Sequence, residues 1–235
     1  MDQLIDILDI NSTPLKHRLI TISGSIGAGK TYSLIEFVSK AQIYYDSIIL
    51  ISPCVLFDPK YKYLVSKTFN PKYYKKYVIH KNFDPLIIKT LCDYQVKHAN
   101  IGFSANHEIH KHQRNFLLVI DDLTGQVKKM SDNTAELNSL IFTLRHLNIT
   151  CIFAVHAINA LHPAIRKQCT CLILKSTSTY SELRWIYEEY CFTYFNNDFK
   201  SFCQVFKNVT QEYGSLIVVI NKGMLKIFNK DMQLL

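Results

Sequence analysis

Glycine is scarce in this chain: only 7 of its 235 residues are glycine, and three of those lie in one eight-residue stretch. Long apolar runs are also missing, since none approaches the length of about 18 residues that spans a membrane. The first residues include the acids Asp2 and Asp6, where a secretory signal would need positive charge. We therefore expect an intracellular protein that does not cross a membrane.

A disulfide framework is not indicated either. The 7 cysteines are odd in number and scattered, and Cys151, Cys169 and Cys171 lie inside apolar runs. This placement is typical of reduced, buried thiols. Cys169 and Cys171 are two residues apart on a predicted strand, so they share one face. The default interpretation of such a pair is two buried thiols.

Patterns of a zinc site are likewise lacking, because the sequence has no CxxC pair and no HExxH. One group of histidines and a cysteine is close enough in sequence to be considered: Cys92, His98, His107, His110 and His112. Without a metal-ligand spacing, this group does not predict a metal centre.

The bulk composition fits one soluble α/β unit. The chain is 48% hydrophobic and 20% charged, and its 235 residues suffice for one full core but not for two ordinary domains with linkers. It has no internal repeat or low-complexity stretch. We expect a single domain over residues 1–235, with a short lead-in at residues 1–16.

The glycine cluster belongs to a phosphate-binding loop, G-x-x-x-x-G-K-[ST]. It consists of Gly24, Ser25, Ile26, Gly27, Ala28, Gly29, Lys30 and Thr31. Residues 18–23 before it read as a buried strand, and the apolar spacing after it predicts a helix to about Ala41. Strand, glycine loop and helix together indicate a nucleotide-binding site, in which backbone N–H groups and the helix dipole face phosphate oxygens.

Two side chains of this loop carry the chemistry of a nucleoside triphosphate site. Lys30 would contact the β- and γ-phosphates, and the Thr31 hydroxyl would bind Mg²⁺. The expected cofactors are therefore ATP and Mg²⁺.

A pair of acids supplies the second half of this predicted site. Residues 116–120 form a continuous apolar run that ends in Asp121 and Asp122, as a central parallel strand does at its carboxyl end. We expect Asp121 to hold Mg²⁺, through a water, and Asp122 to orient the attacking water. Glutamate is commoner in that second role, and both acids could instead cap the strand or the next helix.

The rest of the chain alternates strands with helices. Predicted strands lie at residues 47–52, 77–80, 150–155 and 171–174, followed by a terminal hairpin at 215–220 and 224–228. Predicted helices lie at 85–113, 137–147 and 180–194, the first capped by Asp84. This order predicts an α/β P-loop NTPase fold, with a mostly parallel central sheet, helices on both faces and a C-terminal β-hairpin.

Positive charge is concentrated in one part of the chain. The basic segment, residues 58–81, holds seven lysines against one acid, a local balance of +6 within a formal net charge of +8. Tyrosines interleave with the lysines. Such a mixture can hold a phosphate backbone without reading sequence, but it is equally typical of a solvated surface with tyrosines packed underneath.

Several motifs in order resemble the genome-packaging ATPases of large DNA viruses and virophages, in the FtsK–HerA superfamily. They are the phosphate loop, the run that ends in Asp121 and Asp122, Arg145 after a helix, His156 after a strand, and residues 157–166. The likeness extends from about Leu19 to Phe228, and apart from the loop it depends on order and spacing.

This resemblance implies a motor that hydrolyses ATP and threads double-stranded DNA into a preformed capsid. It implies a homo-oligomer, a ring of five or six subunits, and a capsid or portal component as partner, with any nuclease supplied separately. The implied place is the host cytoplasm or a virus factory, and retention in the virion stays open.

The resemblance also assigns roles to three further residues. Arg145 matches the arginine finger that such rings supply to the neighbouring subunit's nucleotide, although an arginine at a helix end is often a surface charge. His156 stands where the family usually has a glutamine that senses the γ-phosphate, and a core histidine is the alternative. Arg166 matches a recurrent arginine whose role could be structural.

Two other functions remain open from the residues alone. A P-loop nucleoside or nucleotide kinase would share the phosphate loop, although paired acids and the lack of an arginine-rich lid speak against it. A nucleotide-binding assembly switch would bind ATP with little turnover. DNA-stimulated hydrolysis would separate the three.

Overall fold

The computed structural model describes residues 18–103, 114–123, 135–221, 224–229, 233 and 235. The described residues surround one sheet of eight strands: β1 Leu19–Ser23, β2 Ser47–Ile51, β3 Tyr77–His80, β4 Phe116–Asp121, β5 Ile149–Val155, β6 Cys171–Leu174, β7 Leu216–Asn221 and β8 Met224–Phe228. The strand order is β3-β2-β4-β5-β1-β6-β7-β8.

Parallel pairing joins β3, β2, β4, β5, β1 and β6, while β7 and β8 complete the sheet in antiparallel register. The continuous apolar strands explain this arrangement, because both faces of the central strands are covered: β1, β4 and β5 are buried along their whole lengths. The predicted parallel sheet and terminal hairpin are confirmed.

Seven α-helices lie in the described part of the chain: α1 Lys30–Ala41, α2 Lys62–Val65, α3 Pro85–Phe103, α4 Ala135–Thr143, α5 Pro163–Lys167, α6 Tyr180–Ile186 and α7 Phe199–Val209. Helices α1 and α2 pack on one face of the sheet. The other helices contribute to the core on the opposite face. Helices therefore cover both faces, as predicted, and no helix of the described residues is long and apolar enough to cross a membrane.

Some helix ends differ from the sequence prediction. The start at Pro85 is confirmed, since the Asp84 carboxylate accepts a hydrogen bond from Leu86 N at 2.8 Å. The predicted end near residue 113 and the lead-in at residues 1–16 lie outside the described residues. The helix predicted over 180–194 was too long: the α-helical part ends at Ile186 and a π-helical turn follows, where Tyr187 packs against surrounding phenylalanines.

The parallel strands fix where the predicted site residues meet. Ser23 at the end of β1 pairs with Val155 at the end of β5, and Asp121 at the end of β4 pairs with Ala154. All three strands therefore end at one edge of the sheet, which we call the carboxyl edge, and begin at the opposite amino edge.

Candidate nucleotide-binding site

The glycine loop between β1 and α1 adopts the curled backbone that phosphate binding needs. Gly27 has φ 78° and Gly29 has φ 88°, a left-handed region that favours glycine. Gly29 is the residue before α1, and its carbonyl accepts the first-turn hydrogen bond from Ser33 N at 3.0 Å. The loop thus leads directly into the positive end of a 12-residue helix.

The first glycine is required for a different reason, namely close packing. A Cβ on Gly24 would lie 2.5 Å from the Lys175 Cβ, which no real contact allows. Ser25 N donates to Ser176 O at 3.0 Å, and Ser25 Oγ accepts from Ser178 N at 3.2 Å. The segment after β6 therefore fixes the outer limb of the loop.

Lys30 is the first residue of α1, and its side chain reaches back across the glycine loop. Its Nζ donates to Gly24 O at 2.8 Å and to Ser25 O at 2.9 Å, and lies 3.1 Å from His156 Nδ1. Burial lowers the pKa of Lys30, while the nearby carboxyl groups of Asp121 and Asp122 raise it. A buried ammonium group held beside a glycine loop fits a polyphosphate ligand.

Asp121 ends β4 with its side chain in the interior. Its carboxylate accepts a hydrogen bond from the hydroxyl of Tyr61, which is itself fully buried. Burial raises the pKa of Asp121 to about 6, and the Tyr61 hydrogen bond and the Lys30 charge oppose this rise. The residue is only 3% exposed, so a nearby cation would stabilise its ionised form strongly.

A cavity beside helix α1, which we call the phosphate cavity, brings these groups together. It has a volume of about 400 Å³, and its walls include Lys30, Thr31, Asp121, Asp122 and His156. The Thr31 hydroxyl and the Asp121 carboxylate are hard oxygen donors, the kind that Mg²⁺ prefers. The donor set therefore fits Mg²⁺ beside a bound phosphate chain.

Asp122 turns away from the strand direction. Its backbone has φ 56°, which redirects the chain directly after β4. Its Oδ1 lies 2.9 Å from His156 Nε2 and its Oδ2 lies 3.7 Å from Cys54 Sγ. Both partners follow the carboxyl ends of other strands, and Asp122 and His156 both line the cavity.

His156 bridges the lysine and the second acid. An ammonium group only donates and a carboxylate only accepts, so a neutral imidazole with its proton on Nε2 satisfies Lys30 and Asp122 at once. Its side chain is 40% exposed. The alternative of a core histidine is therefore wrong.

Comparison with protein families shows which family the chain belongs to. The family described as Poxvirus A32 protein matches residues 10–229. The chain belongs to the poxvirus A32 protein family. Among curated protein sequences, none matches it.

Solved structures show the fold of this A32 family member. The genome packaging NTPase B204 of Sulfolobus turreted icosahedral virus 2, in complex with ATP-gammaS, matches with a TM-score of 0.59 and 21% identity, over 90% of this chain and 96% of that one. B204, the DNA-packaging ATPase from Sulfolobus turreted icosahedral virus, matches with a TM-score of 0.60 and 19% identity, over 89% and 96%. The pCW3 conjugation coupling protein TcpA matches with a TM-score of 0.53 and 14% identity, over 76% and 52%. The P-loop NTPase fold is thus confirmed.

Arg145 of the A32 family member lies far from the chain's own loop. It is exposed in a 3₁₀ turn, Leu144–His146, shortly before β5 begins at the amino edge, and its Nε donates to His146 Nε2 at 3.3 Å. Strand β5 has seven residues, so at a rise of about 3.3 Å per residue its ends lie roughly 20 Å apart. The structure therefore brings the P-loop, both acids and His156 together, but not Arg145.

Arg166 has a packing role. Its guanidinium lies 4.6 Å from the ring centre of Trp185, its Nη1 donates to Leu161 O at 2.7 Å, and its Nε is 3.6 Å from Glu189 Oε1. These contacts tie α5 to α6 and the π-helical turn. The geometry therefore favours a structural role for Arg166.

The basic segment contributes to the site in a way that the sequence prediction missed. Lys60 lines the phosphate cavity and Tyr61 donates to Asp121. The signal was topological: the residues after β2 must emerge at the carboxyl edge, because β2 is parallel to β4. Neither residue has a motif of its own.

Other lysines of the basic segment divide between two roles. Lys76 is half-buried and donates to Tyr45 O at 2.6 Å, so it holds the fold. Lys67, Lys72 and Lys75 are exposed. The segment therefore has a buried tyrosine, Tyr61, and a cationic surface, and its contact with DNA stays a prediction.

Only two of the five residues considered for a zinc site, Cys92 and His98, lie among the described residues. His107, His110 and His112 lie outside the described residues. Among the residues that the structure does describe, no group of three or more potential metal-binding His, Cys, Asp or Glu side chains occurs.

Proposed function

We propose that this chain, acting as one ATPase domain over residues 1–235, hydrolyses ATP to drive double-stranded DNA into a viral capsid. The observation that carries the proposal is the chain of contacts from Lys30 through His156 to Asp122, beside the buried Asp121. It places a phosphate-binding cation and a carboxylate suited to hold water in one cavity. Family membership and a fold shared with proteins described as DNA-packaging ATPases support the same function.

Each residue of the site has a proposed role that fits its position. The backbone amides of residues 24–31 and the Lys30 ammonium hold the phosphates, and Thr31 and Asp121 hold Mg²⁺, which would supply positive charge to the transferred phosphoryl group. Asp122 orients the attacking water. His156 fixes the direction of the Asp122 carboxylate and links it to Lys30.

The position of Arg145 supports a ring oligomer. An arginine at the amino edge lies too far from its own nucleotide site, and in a ring it would face the carboxyl edge of a neighbouring copy. In a homo-oligomeric ring of five or six subunits, each site would be completed by the next subunit's Arg145. Such an arginine stabilises the negative charge of the transition state.

Charge and family membership support the remaining partners. The exposed lysines of the basic segment offer a sequence-independent surface for the DNA backbone. A capsid or portal component would dock the ring, and the motor would act within the infected cell, in the cytoplasm or a virus factory.

Purified protein with ATP, Mg²⁺ and double-stranded DNA at low salt tests this function. We expect ATP turnover to rise with DNA and to disappear in Lys30→Ala. The same preparation is sized with an ATP analogue and DNA, and a particle of five or six subunits is expected. Equal turnover with and without DNA in an oligomeric preparation would contradict the motor. Phosphate transfer to a small acceptor would indicate a kinase. Binding of ATP without turnover would indicate an assembly switch.

A further inference from the structure

A second open cavity adjoins the phosphate site on the β6–β7 side. Its volume is about 830 Å³, and its walls come from loop residues 26–28, residues 176–177, helices α6 and α7, and residues 210–213. We propose that this cavity receives the nucleobase of the bound nucleotide and that Tyr213 is the side chain on which the base stacks. This inference rests on the proposed nucleotide site and extends it to recognition of the base.

Tyr213 lines both this cavity and the phosphate cavity. Its ring lies against the loop, since a Cβ on Gly29 would be 3.3 Å from Tyr213 Cδ1. Yet the side chain is 72% exposed. An aromatic ring that borders the phosphate site and remains open to solvent is well placed for the flat, partly apolar base of the same ligand.

The backbone around Tyr213 is strained. Glu212 has φ 48° and Tyr213 has φ 62°, two consecutive left-handed residues that are not glycine. Such a conformation is energetically costly and persists only where neighbours enforce it. A surface turn with no task for the tyrosine would be less strained with glycine or asparagine.

Specific contacts enforce this strained turn. The buried Lys175 donates from Nζ to Tyr213 O at 2.7 Å, and Gly214 N donates to Gln211 O at 2.7 Å. Gly214 fits so tightly that an added Cβ would lie 2.0 Å from Val209 O. Because Lys175 also packs against Gly24, the same side chain positions the loop and the Tyr213 backbone together.

The remaining walls combine apolar side chains with polar ones, among them Lys207. Leu183 and Phe206 supply apolar surface, and Gln211 and Glu212 supply polar groups that can meet the edge of a base. Tyr180, 63% exposed, lies on the same cavity. Stacking in this setting strengthens with ring size, so purines should bind more tightly than pyrimidines.

Calorimetric binding of two probes to the full chain tests the proposal: MgATP and inorganic tripolyphosphate with Mg²⁺. Tyr213→Ala should weaken MgATP about tenfold, a typical loss when stacking on one base is removed, and leave tripolyphosphate affinity unchanged. Tyr213→Phe should bind both as the wild type does. The matched control Tyr63→Ala, an exposed tyrosine outside both cavities, should change neither.

Contrary results separate this inference from the proposed function. Equal weakening of both probes in Tyr213→Ala would show that the tyrosine only supports the loop, and an unchanged MgATP affinity would place the base elsewhere; either overturns the base pocket while nucleotide binding stands. If wild-type protein binds neither probe, the nucleotide site itself fails. A preference for MgATP over MgUTP that Tyr213→Ala abolishes would support stacking directly.

Discussion

His156 donates a hydrogen bond from Nε2 to Asp122 Oδ1 at 2.9 Å, so the residue after β5 fixes the direction of the second acid after β4. On its other side, His156 Nδ1 accepts from Lys30 Nζ at 3.1 Å. The imidazole therefore connects the phosphate-binding lysine to the carboxylate proposed to orient water. This geometry gives the histidine a positioning role that glutamine could also fill, since an amide has both a donor and an acceptor.

Replacing His156 tests that role. His156→Ala removes both contacts and should lower kcat roughly 10- to 100-fold, a usual cost for losing a partner that orients a ligand-holding residue. ATP affinity should change little, because Lys30 keeps its hydrogen bonds to Gly24 O and Ser25 O. Steady-state hydrolysis and equilibrium ATP binding, measured on the same preparations, separate the two effects.

The conservative variant provides the control. His156→Gln should retain most of the wild-type kcat, since the amide can donate to Asp122 and accept from Lys30. If His156→Gln is as slow as His156→Ala, a proton on the imidazole itself takes part in the reaction, and a purely positioning role is wrong.

Asp121 makes the stability of the protein depend on pH. Burial raises its pKa from 3.8 to about 6 in the folded chain. Between these values the folded state binds more protons than the unfolded state, so stability should fall as pH rises from about 4 to 6 and then level off. At 1.36 kcal/mol per pKa unit the full loss is about 3 kcal/mol in the absence of Mg²⁺.

Urea unfolding of Asp121→Asn against wild type at several pH values checks this. The variant should be more stable at pH 7, with the difference shrinking toward pH 4. Tyr61→Phe is the opposing control: without the hydroxyl that stabilises the carboxylate, the pH at which stability levels off should move upward. Parallel stability curves for wild type and Asp121→Asn would contradict the assignment.

The sequence predicted the strands well because buried parallel strands are continuous apolar runs whose ends carry turn or polar residues. Residues 116–121 show this most clearly, and the register that brings Asp121 level with Ala154 follows from parallel pairing. The P-loop was recognisable because its chemistry needs fixed residue types at fixed spacing.

Tyr61, Lys175 and Tyr213 were missed because no spacing rule links them to the loop. Tyr61 donates to Asp121 from 60 residues away, and Tyr213 reaches Gly29 only through a strained turn. Their positions depend on tertiary packing between the sheet edge and its connections. Sequence periodicity reports which residues are buried, not which polar atoms meet.

The cationic surface of the basic segment gives a test of DNA contact. Charge reversal of the exposed Lys67, Lys72 and Lys75 to Glu should weaken DNA affinity and flatten its dependence on salt, because fewer counterions are released on binding. Unfolding free energy should stay within about 0.5 kcal/mol of wild type, as for most surface changes.

Lys76 is the control residue for this test, because it belongs to the same segment but is half-buried. Lys76→Glu removes the hydrogen bond to Tyr45 O and should lower the unfolding free energy, whereas the exposed lysines should not. Titrations of labelled DNA at several salt concentrations provide the readout. If the triple variant binds DNA as wild type does, with the same salt dependence, the DNA contacts lie on another surface.

The separation of Arg145 from its own P-loop leads to the sharpest prediction. Arg145→Ala should leave ATP binding intact and lower kcat by about 10³-fold or more, the lower range for removal of such an arginine, because only the transition state loses its charge partner. Asp122→Asn should also be slow, but for a reason located in its own subunit. Neither variant should change its exposed surroundings enough to unfold the chain, which thermal melting checks.

Mixing the two inactive variants distinguishes the shared site from an independent one. An Arg145→Ala subunit keeps an intact Asp122, and a neighbouring Asp122→Asn subunit keeps an intact Arg145, so their shared interface regains one complete site. Hydrolysis in a mixture should therefore exceed the sum of the separate variants and should peak at intermediate ratios. A mixture that is no faster than that sum, under conditions where wild-type subunits form oligomers, would mean that Arg145 does not act across the interface, and unchanged turnover of Arg145→Ala alone would remove it from the site.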